Sequence, residues 1–408
     1  MDFFNPMFWA DDSGRYTIWG SVYPPLNFLF LKSARWLLFG DLRQADGFAL
    51  RDIARPMIPW ILLAYGAATL FIFRQDLWHG FTDFQKALLF VACTLSPPML
   101  FTIERGNLII FALGFLALAF ARPGWARAFA IGVLINIKPY FALYLVALAL
   151  TRRPKELVAC TMVAGVIFLF SGIVLDDQFL TFIPNTMQFS QENALFSARE
   201  ILSLPSSISA FTYVLQTYFS QGGNLSIAGF DIAMITSIIE LTRWLGIAGL
   251  FAVLVLAGRN VPEHFALAAM TVAITNLGVW VGGYSFIFYI VLIPIFLRMA
   301  YWKLYLVLIT LILLPIDVIT ILRDNIGDQY AYLSGATVSV DWQLGLGAIA
   351  RPAVNFCMLL AISFEVFSKY ARWPRAFQVG FQGADKIFGN LLHRDRRIFD
   401  THRHIMPS

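Results

Sequence analysis

Long apolar segments recur along this chain, and only a membrane-embedded helical fold can accommodate so many of them. They run roughly over 56–73, 85–103, 107–121, 157–175, 231–257, 263–281, 284–299, 303–321 and 348–368. Hydrophobic residues make up 59% of the sequence and charged residues only 13%, whereas soluble domains carry about 25% charged residues. Segments of about 20 apolar residues match the thickness of a bilayer core. We therefore predict an all-α, polytopic integral membrane protein.

Loop charges orient these segments, because cytoplasmic loops carry an excess of Lys and Arg. Basic residues crowd the C-terminal tail, namely Lys369, Arg372, Arg375, Lys386, Arg394, Arg396, Arg397 and Arg403. If this tail is cytoplasmic, alternation places the loops with Arg259 and Arg298 inside as well. The predicted organisation is one transmembrane domain over 1–368, with an outer loop and interfacial helix at 1–55, and a basic cytoplasmic tail at 369–408.

Lys138 lies in the middle of an otherwise apolar stretch, Phe129–Leu150. An ammonium in hydrocarbon is costly, so an intramembrane lysine indicates a functional site. Pro139 follows it directly and breaks the helix there. Arginines flank segment 125–150 on both sides, so two half-helices that meet at Lys138 and return to the cytoplasm fit better than one crossing helix. The alternative is a proline-kinked span whose lysine reaches the outer interface.

A second basic residue is predicted at the same depth as Lys138. The motif Arg105-Gly106-Asn107 follows a span that two prolines shorten or kink. Arg105 and Lys138 would form a basic pocket that faces outward, in which a planar guanidinium and a point charge suit phosphate oxygens. A lipid phosphate or diphosphate is the anion expected at that depth. The plainer alternative is a polar loop in which Asn107 caps the next helix.

The N-terminal region differs in kind from the rest of the chain. Met1–Gly20 is polar and aromatic and carries Asp2, Asp11 and Asp12. Residues 25–39 are amphipathic and hold two basic residues, which favours a helix lying in the membrane interface. Alternation places this region outside, with no span or signal peptide before it. We therefore expect the first methionine to lie within a longer reading frame that encodes a further transmembrane helix.

Two other outer segments, 176–221 and 323–345, are rich in amide, acidic and aromatic side chains. Such side chains suit sugar hydroxyls, but they also occur in solvated loops. Within the membrane, Glu240 and Arg243 are spaced to neutralise each other. The three cysteines lie in apolar segments and indicate neither a disulfide framework nor a metal site.

Three motifs, in this order, resemble those of the GT-C glycosyltransferases, which use polyprenyl- or dolichyl-phosphate sugars. Tyr23-Pro24-Pro25-Leu26 looks like the Tyr-Pro-Pro-Leu of bacterial polyprenol-phosphate-mannose-dependent α-mannosyltransferases. Arg105-Gly106-Asn107 is similar to the Arg-Gly-Asn of the glycosylphosphatidylinositol mannosyltransferases, and Lys138-Pro139-Tyr140 to the Lys-Pro bend of bacterial relatives. The resemblance covers roughly residues 1–155, and the later half matches in hydropathy and one short outer turn.

The resemblance implies a catalytic base in the first outer loop. An acidic residue placed early in that loop can remove the proton of the acceptor hydroxyl. Asp2, in Asp2-Phe3-Phe4, fits the family pattern best, and Asp11 and Asp12 are the alternatives. Related bacterial enzymes often place a histidine in a late outer turn, where this chain has Tyr284 and Ser285, so a second base is unassigned.

The resemblance also implies the binding residues. Lys138 and Arg105, with Asn107 beside them, would bind the donor phosphate and stabilise charge on the departing group. Acceptor or sugar contacts are assigned to Tyr23, Glu104, Tyr140 and Tyr284. No metal or other cofactor is implied, because the lipid-linked sugar is itself a substrate.

These features predict a membrane glycosyltransferase that moves a hexose, with mannose suggested by the resemblance, from polyprenyl phosphate to an extracytoplasmic glycan or glycolipid. Its partners would be that donor, the acceptor and the lipid bilayer, without nucleic acid. It would be a multi-pass protein of the inner (plasma) membrane with an outward-facing site. The alternatives are a transporter or flippase of lipid-linked saccharides, which should show a repeat between its halves, and a polymerase, which would not need an early carboxylate. The sequence contains no such repeat.

Overall fold

The computed structural model describes residues 3–40, 46–175, 178–191, 206–209, 212, 226–227, 230–278, 281–330 and 336–371 of the chain. These residues are predominantly helical. The α-helices are α1 (Phe4–Trp9), α2 (Pro25–Phe39), α3 (Gly47–Ala54), α4 (Ile58–Phe73), α5 (Asp83–Thr94), α6 (Pro97–Arg105), α7 (Ile109–Ala121), α8 (Trp125–Ile137), α9 (Leu143–Leu150), α10 (Pro154–Leu175), α11 (Phe182–Gln191), α12 (Ile232–Ala257), α13 (Glu263–Thr275), α14 (Phe288–Phe296), α15 (Trp302–Leu313) and α16 (Leu346–Tyr370).

Short 3-10 helices and two hairpins complete the described elements. The 3-10 helices are Ser13–Arg15, Arg55–Met57, Asp76–Trp78, Pro139–Ala142, Phe179–Thr181, Gly258–Asn260, Gly283–Ile287 and Ile316–Val318. The antiparallel hairpins pair β1 (Ser226–Ile227) with β2 (Phe230–Asp231), and β3 (Thr320–Tyr330) with β4 (Thr337–Gly345). The second hairpin occupies most of the predicted outer segment 323–345.

Four helical stretches of the described chain are long and apolar enough to cross a membrane. They are Gly47–Phe73, Pro154–Leu175, Ala233–Asn260 and Leu346–Tyr370. Each overlaps a span predicted from the sequence, and the first three leave many large apolar side chains exposed, as lipid-facing helices do. The helical character of the described residues is therefore confirmed, and these four helices support the predicted membrane spans.

The span predicted at 85–103 is bent where its prolines predict a kink. The axes of α5 and α6 differ by 61°. Pro97 occupies the first helical position of α6, where the missing N–H has no helical partner to lose. The helix ends at Arg105, and Gly106 closes it with a left-handed backbone of φ +64°.

The segment around Lys138 enters the bundle and returns to the end from which it came. α8 ends just before Lys138, whose extended backbone (φ −142°, ψ 119°) turns the chain towards α9. At the start of this segment, Arg127 forms an ion pair with Glu263. Just beyond its end, Arg153 donates a hydrogen bond to the Val261 carbonyl at 2.7 Å. Both flanks of the segment therefore meet the same short stretch of chain.

α8 also packs directly on α10, the helix that follows the Lys138 segment. A Cβ on Gly132 would lie 3.1 Å from the backbone nitrogen of Ala164. Further along α8, the Asn136 amide donates to the Ala164 carbonyl at 3.0 Å. Since α10 starts directly after Arg153, α8 and α10 run parallel and α9 is the returning arm. The two half-helices predicted to meet at Lys138 are confirmed, and the single kinked span is wrong.

We call the end of the bundle where these contacts occur the basic end. Positively charged residues there include Arg122, Arg127, Arg152, Arg153, Arg259 and Lys369. Arg259 donates to the carbonyl of Arg152 at 2.7 Å, and the Asn260 amide donates to the carbonyl of Tyr370 at 3.2 Å. α8 has 13 residues, which rise about 20 Å, so Lys138 lies about that far from the basic end.

Several helices are shorter than the hydropathy pattern predicts. The predicted spans 263–281, 284–299 and 303–321 contain α13, α14 and α15, which have 13, 9 and 12 residues. About 20 residues are needed to cross a bilayer core, so α13 and α14 do not each span it. α15 and the turn after it run beside α16 from Glu365 to Arg351. Hydropathy reports composition and ignores backbone breaks, such as Pro315 after α15 and the glycines between α13 and α14.

The segment that contains α13 and α14 forms a second re-entrant hairpin. Near its start, the rings of Phe265 and Tyr370 are 6.2 Å apart. Beyond its end, the backbone nitrogen of Ala300 donates to the Glu365 carboxylate at 2.7 Å. Tyr370 and Glu365 both lie in the last turns of α16, so this segment also begins and ends at the basic end. Its tip, which holds Tyr284, lies at a depth similar to that of Lys138.

Two intramembrane arginines are satisfied by local partners. Arg243 donates to Glu240 at 3.0 Å, as their spacing predicts, and also to the Asn276 carbonyl beyond α13 at 3.4 Å. Arg351 is fully buried and forms an ion pair with Asp317. A second nitrogen of Arg351 donates to a carbonyl near the end of α15 at 2.9 Å. Both arginines therefore satisfy backbone carbonyls where short helices end.

Cysteines introduced singly at Gly124 and Lys155 should react with a membrane-impermeant thiol reagent from the same side of the membrane, because both flanks of the Lys138 segment lie at the basic end. A cysteine at Glu104 should react from the other side, since α7 carries the chain from there to the basic end. Labelling of whole cells and of inverted vesicles measures this. Reaction at 124 and 155 from opposite sides would contradict the re-entrant hairpin.

Candidate functional site

The Lys138 ammonium lies between two tyrosine rings. Its Nζ atom is 4.6 Å from the centroid of the Tyr23 ring and 5.9 Å from that of Tyr284. Both distances are within the range of cation–π attraction. Tyr23 precedes α2, and Tyr284 lies in the turn before α14. Side chains from two distant parts of the sequence therefore converge on the tip of the Lys138 hairpin.

Arg105 joins this group through stacked aromatic rings. Its guanidinium carbon is 5.2 Å from the centroid of the Phe101 ring. The Phe101 ring stacks on that of Tyr284, with centroids 6.5 Å apart and an interplanar angle of 14°. We call Tyr23, Phe101 and Tyr284 the aromatic cluster. The structure thus brings both predicted phosphate-binding cations, Arg105 and Lys138, to one aromatic cluster.

Asn107 and Glu104 flank Arg105 in different environments. The Asn107 side chain is buried, and its Oδ1 atom accepts a hydrogen bond from the backbone nitrogen of Ile109 at 3.0 Å. This contact satisfies a free N–H at the start of α7, as the capping interpretation predicts. The Glu104 carboxylate is about half exposed, and its Oε2 atom is 3.8 Å from Arg105 Nε. Glu104 is therefore open to solvent beside the guanidinium.

Tyr140 lies in the 3-10 helix directly after Lys138. Its hydroxyl is buried and has no hydrogen-bond partner among the described residues. The hydroxyls of Tyr284 and Tyr23 lie close enough to the Tyr140 hydroxyl to interact with it electrostatically. A buried hydroxyl without a partner carries an unrecovered desolvation cost of about 1–3 kcal/mol. The site therefore holds a hydrogen-bonding group that a bound ligand can satisfy.

The three candidate catalytic bases in the N-terminal region differ in what the structure shows of their surroundings. Asp2 lies outside the described residues. Asp11 forms an ion pair with Arg35, which is largely buried. Asp12 accepts from the Trp19 indole at 2.7 Å and from a backbone N–H at 2.8 Å, and these hydrogen bonds lower the pKa of Asp12 below its ordinary value. A lower pKa makes the carboxylate a weaker proton acceptor.

The N-terminal region packs directly on the loop that carries Arg105. A Cβ on Gly106 would lie 3.0 Å from the Cβ of Phe3. The Asn185 amide of α11 donates to the carbonyls of Tyr16, at 2.7 Å, and Ser21, at 3.2 Å. These contacts place the polar N-terminal region at the end of the bundle that holds the aromatic cluster, away from the basic end.

Three contributors to the site were missed by sequence reasoning, namely Phe101, Asn27 and Asn136. The Asn27 amide donates to the Ile137 carbonyl at 2.9 Å and to the Asn136 carbonyl at 3.3 Å. The Asn136 amide binds α8 to α10. For Asn27 and Asn136, the signal in the sequence is an amide side chain inside an apolar segment, because such a side chain needs a polar partner. Phe101 has no such signal, since phenylalanine occurs 39 times in this chain.

A family model for glycosyltransferase family 87 matches residues 23–281. This range is more than half of the chain. It contains Tyr23, Arg105 and Lys138, and it ends just before Tyr284. No curated protein and no solved structure gives a significant match.

Alanine at Gly106 should lower thermal stability, because the left-handed backbone of Gly106, with φ +64°, makes a side chain there cost about 1–2 kcal/mol in strain. The new Cβ would also lie 3.0 Å from the Cβ of Phe3. Gly106→Ala should therefore cost less stability in a Phe3→Gly background, where that Cβ is gone. Thermal unfolding of the single and double variants measures the difference. Equal costs of Gly106→Ala in both backgrounds would contradict the packing of the N-terminal region on Gly106.

Proposed function

The chain belongs to glycosyltransferase family 87, and we propose that it transfers a hexose from a polyprenyl-phosphate donor to an extracytoplasmic glycan or glycolipid. Mannose is the sugar that its motif resemblance suggests. Membership of this family makes the chain a glycosyltransferase, so the transporter, flippase and polymerase alternatives lose their support. The basic end is assigned to the cytoplasm by its charge, and the aromatic cluster then faces the outer half of the membrane.

One observation carries the donor assignment. Lys138 and Arg105 lie on one aromatic cluster, about 20 Å from the basic end, in a bundle whose long helices expose apolar surface. Two cations at such a depth suit an anion that can enter from the lipid. A polyprenyl phosphate has this chemistry, because its chain stays in the bilayer while its phosphate reaches the cations. Free nucleotide sugars have no lipid chain to bring them there.

The same residues account for the departure of the donor phosphate. As the bond between the sugar and the phosphate breaks, negative charge grows on the phosphate oxygens. Lys138 and Arg105 are held in place to stabilise that charge, and Arg105 can bind two oxygens through its planar fork. The buried Tyr140 hydroxyl supplies a further donor. Tyr23 and Tyr284 orient the lysine and offer ring faces to the sugar, and Glu104 is a candidate contact for the acceptor.

Asp2 is the proposed catalytic base. The acceptor hydroxyl must lose a proton as its oxygen attacks the sugar, and a carboxylate can accept it. Asp11 is engaged by Arg35, and Asp12 has a lowered pKa. Asp2 is adjacent in sequence to Phe3, which packs on Gly106. This contact supports a base located on the Arg105 side of the bundle.

Lys138→Met should weaken binding of a polyprenyl-phosphate sugar by about 10- to 100-fold, because a charge-assisted hydrogen bond contributes about 1.5–3 kcal/mol. Lys32→Met is the matched control, since Lys32 lies exposed on α2 and outside the aromatic cluster. Titration of both purified variants with the donor measures the effect. Unchanged donor affinity in Lys138→Met would refute the phosphate-binding role.

Asp2→Asn should reduce the turnover number by about 10²- to 10⁴-fold, the usual contribution of a general base, while donor affinity stays close to that of the parent protein. Asp11→Asn should lower the melting temperature instead, because it leaves a largely buried Arg35 without its carboxylate. A radiolabelled transfer assay and thermal unfolding separate the two effects. If Asp2, Asp11 and Asp12 can each be replaced without loss of transfer, the N-terminal base does not exist.

A further inference from the structure

The backbone break at Lys138 exposes carbonyl groups that need hydrogen-bond donors. The last carbonyls of a helix have no partner within the helix, and Pro139 cannot supply an N–H. In the bilayer, water is not available to satisfy such groups. The two carbonyls directly before Lys138 belong to Asn136 and Ile137. Their environment therefore decides how the chain, and with it the lysine, leaves α8.

Asn27 satisfies both carbonyls with one amide. Its Nδ2 atom is 2.9 Å from the Ile137 oxygen and 3.3 Å from the Asn136 oxygen. The Asn27 side chain is 4% exposed, so this interaction is shielded from solvent. The contact joins parts of the chain more than 100 residues apart. It is therefore a tertiary cap on α8 rather than a local turn.

The same stretch of chain also supplies a ring to the ammonium. Tyr23 lies one turn before Asn27, and its ring is 4.6 Å from Lys138 Nζ. The prolines between them start α2, with Pro25 at the first helical position, which fixes the backbone direction at that point. Tyr23 thus contacts the end of the lysine side chain while Asn27 holds the backbone that carries it.

We propose that Asn27 is a positioning residue, which acts through Lys138 to place the ammonium for the donor phosphate. This inference rests on the proposed phosphate-binding role of Lys138. Without the amide, the Asn136 and Ile137 carbonyls must find other donors, and the backbone at the break shifts with them. A purely structural Asn27 would stabilise the contact between α2 and α8 without any specific link to Lys138.

A double-mutant cycle separates these two roles. Asn27→Leu removes the amide at similar size, and it is combined with Lys138→Met in the full chain. The probe is a short-chain polyprenyl phosphate, titrated onto the purified protein in detergent. Asn27→Leu should weaken binding about tenfold in the parent protein, the loss expected for one or two hydrogen bonds. It should have little further effect when Lys138 is already Met.

Asn185→Leu is the matched control for loss of an amide that bridges two backbone carbonyls. Any effect of this variant on affinity should be the same fold-change with Lys138 or with Met at 138. Asn27→Ser, which retains one short donor, should give a smaller loss than Asn27→Leu and serves if the leucine variant does not fold. The melting temperature of each variant reports its cost to folding separately.

The outcomes separate the inference from the proposed function. Loss of binding that depends on Lys138 supports the positioning role. Equal fold-losses in both backgrounds, or unchanged binding in Asn27→Leu and Asn27→Ser, would overturn it while leaving Lys138 as the phosphate-binding residue. If Lys138→Met alone binds the polyprenyl phosphate normally, the proposed phosphate role fails, and the positioning role fails with it.

Discussion

A positive charge held inside a helical membrane bundle is the constraint on which this structure depends. A continuous helix through Lys138 would have to place the ammonium against lipid or packed apolar side chains, at high cost. Pro139 ends α8 instead, so the lysine lies at the tip of a hairpin between the rings of Tyr23 and Tyr284. Aromatic faces attract a cation. The same arrangement holds the lysine where the proposed donor phosphate would bind.

The tip of the Lys138 hairpin is held in place because both re-entrant hairpins are fixed at the basic end, where each of them starts and finishes. Arg127 pairs with Glu263, and Arg153 donates to the Val261 carbonyl. These contacts bind the start and finish of one re-entrant hairpin to the start of the other. Removal of one partner of a buried ion pair is strongly destabilising. The ion pair and the hydrogen bond therefore hold the ends of the two hairpins in a fixed position relative to each other. The two tips then meet at fixed positions, and Tyr284 reaches Lys138 as a result.

Sequence reasoning succeeded where a single residue type forces the backbone. Pro139 predicted the break, the paired prolines predicted the bend before α6, and the predicted interfacial helix 25–39 has the bounds of α2. It failed for 263–281, because apolar composition continues through the turn after α13. It also missed Asn27, whose partners are backbone carbonyls far away in the sequence. The three missed contributors, Asn27, Asn136 and Phe101, act through contacts with parts of the chain far away in the sequence.

The sequence by itself determined that the chain is helical with segments suited to cross a membrane, where proline breaks its helices, and that a lysine lies within an apolar segment. These properties follow from composition, proline and the cost of charge in hydrocarbon, all of which act locally. Only the tertiary structure decided between the two alternatives for the Lys138 segment and showed that Arg105 reaches Lys138 through Phe101 and Tyr284. Such contacts depend on which helix faces pack together. Hydropathy cannot specify this, because nearly every face of such a chain is apolar.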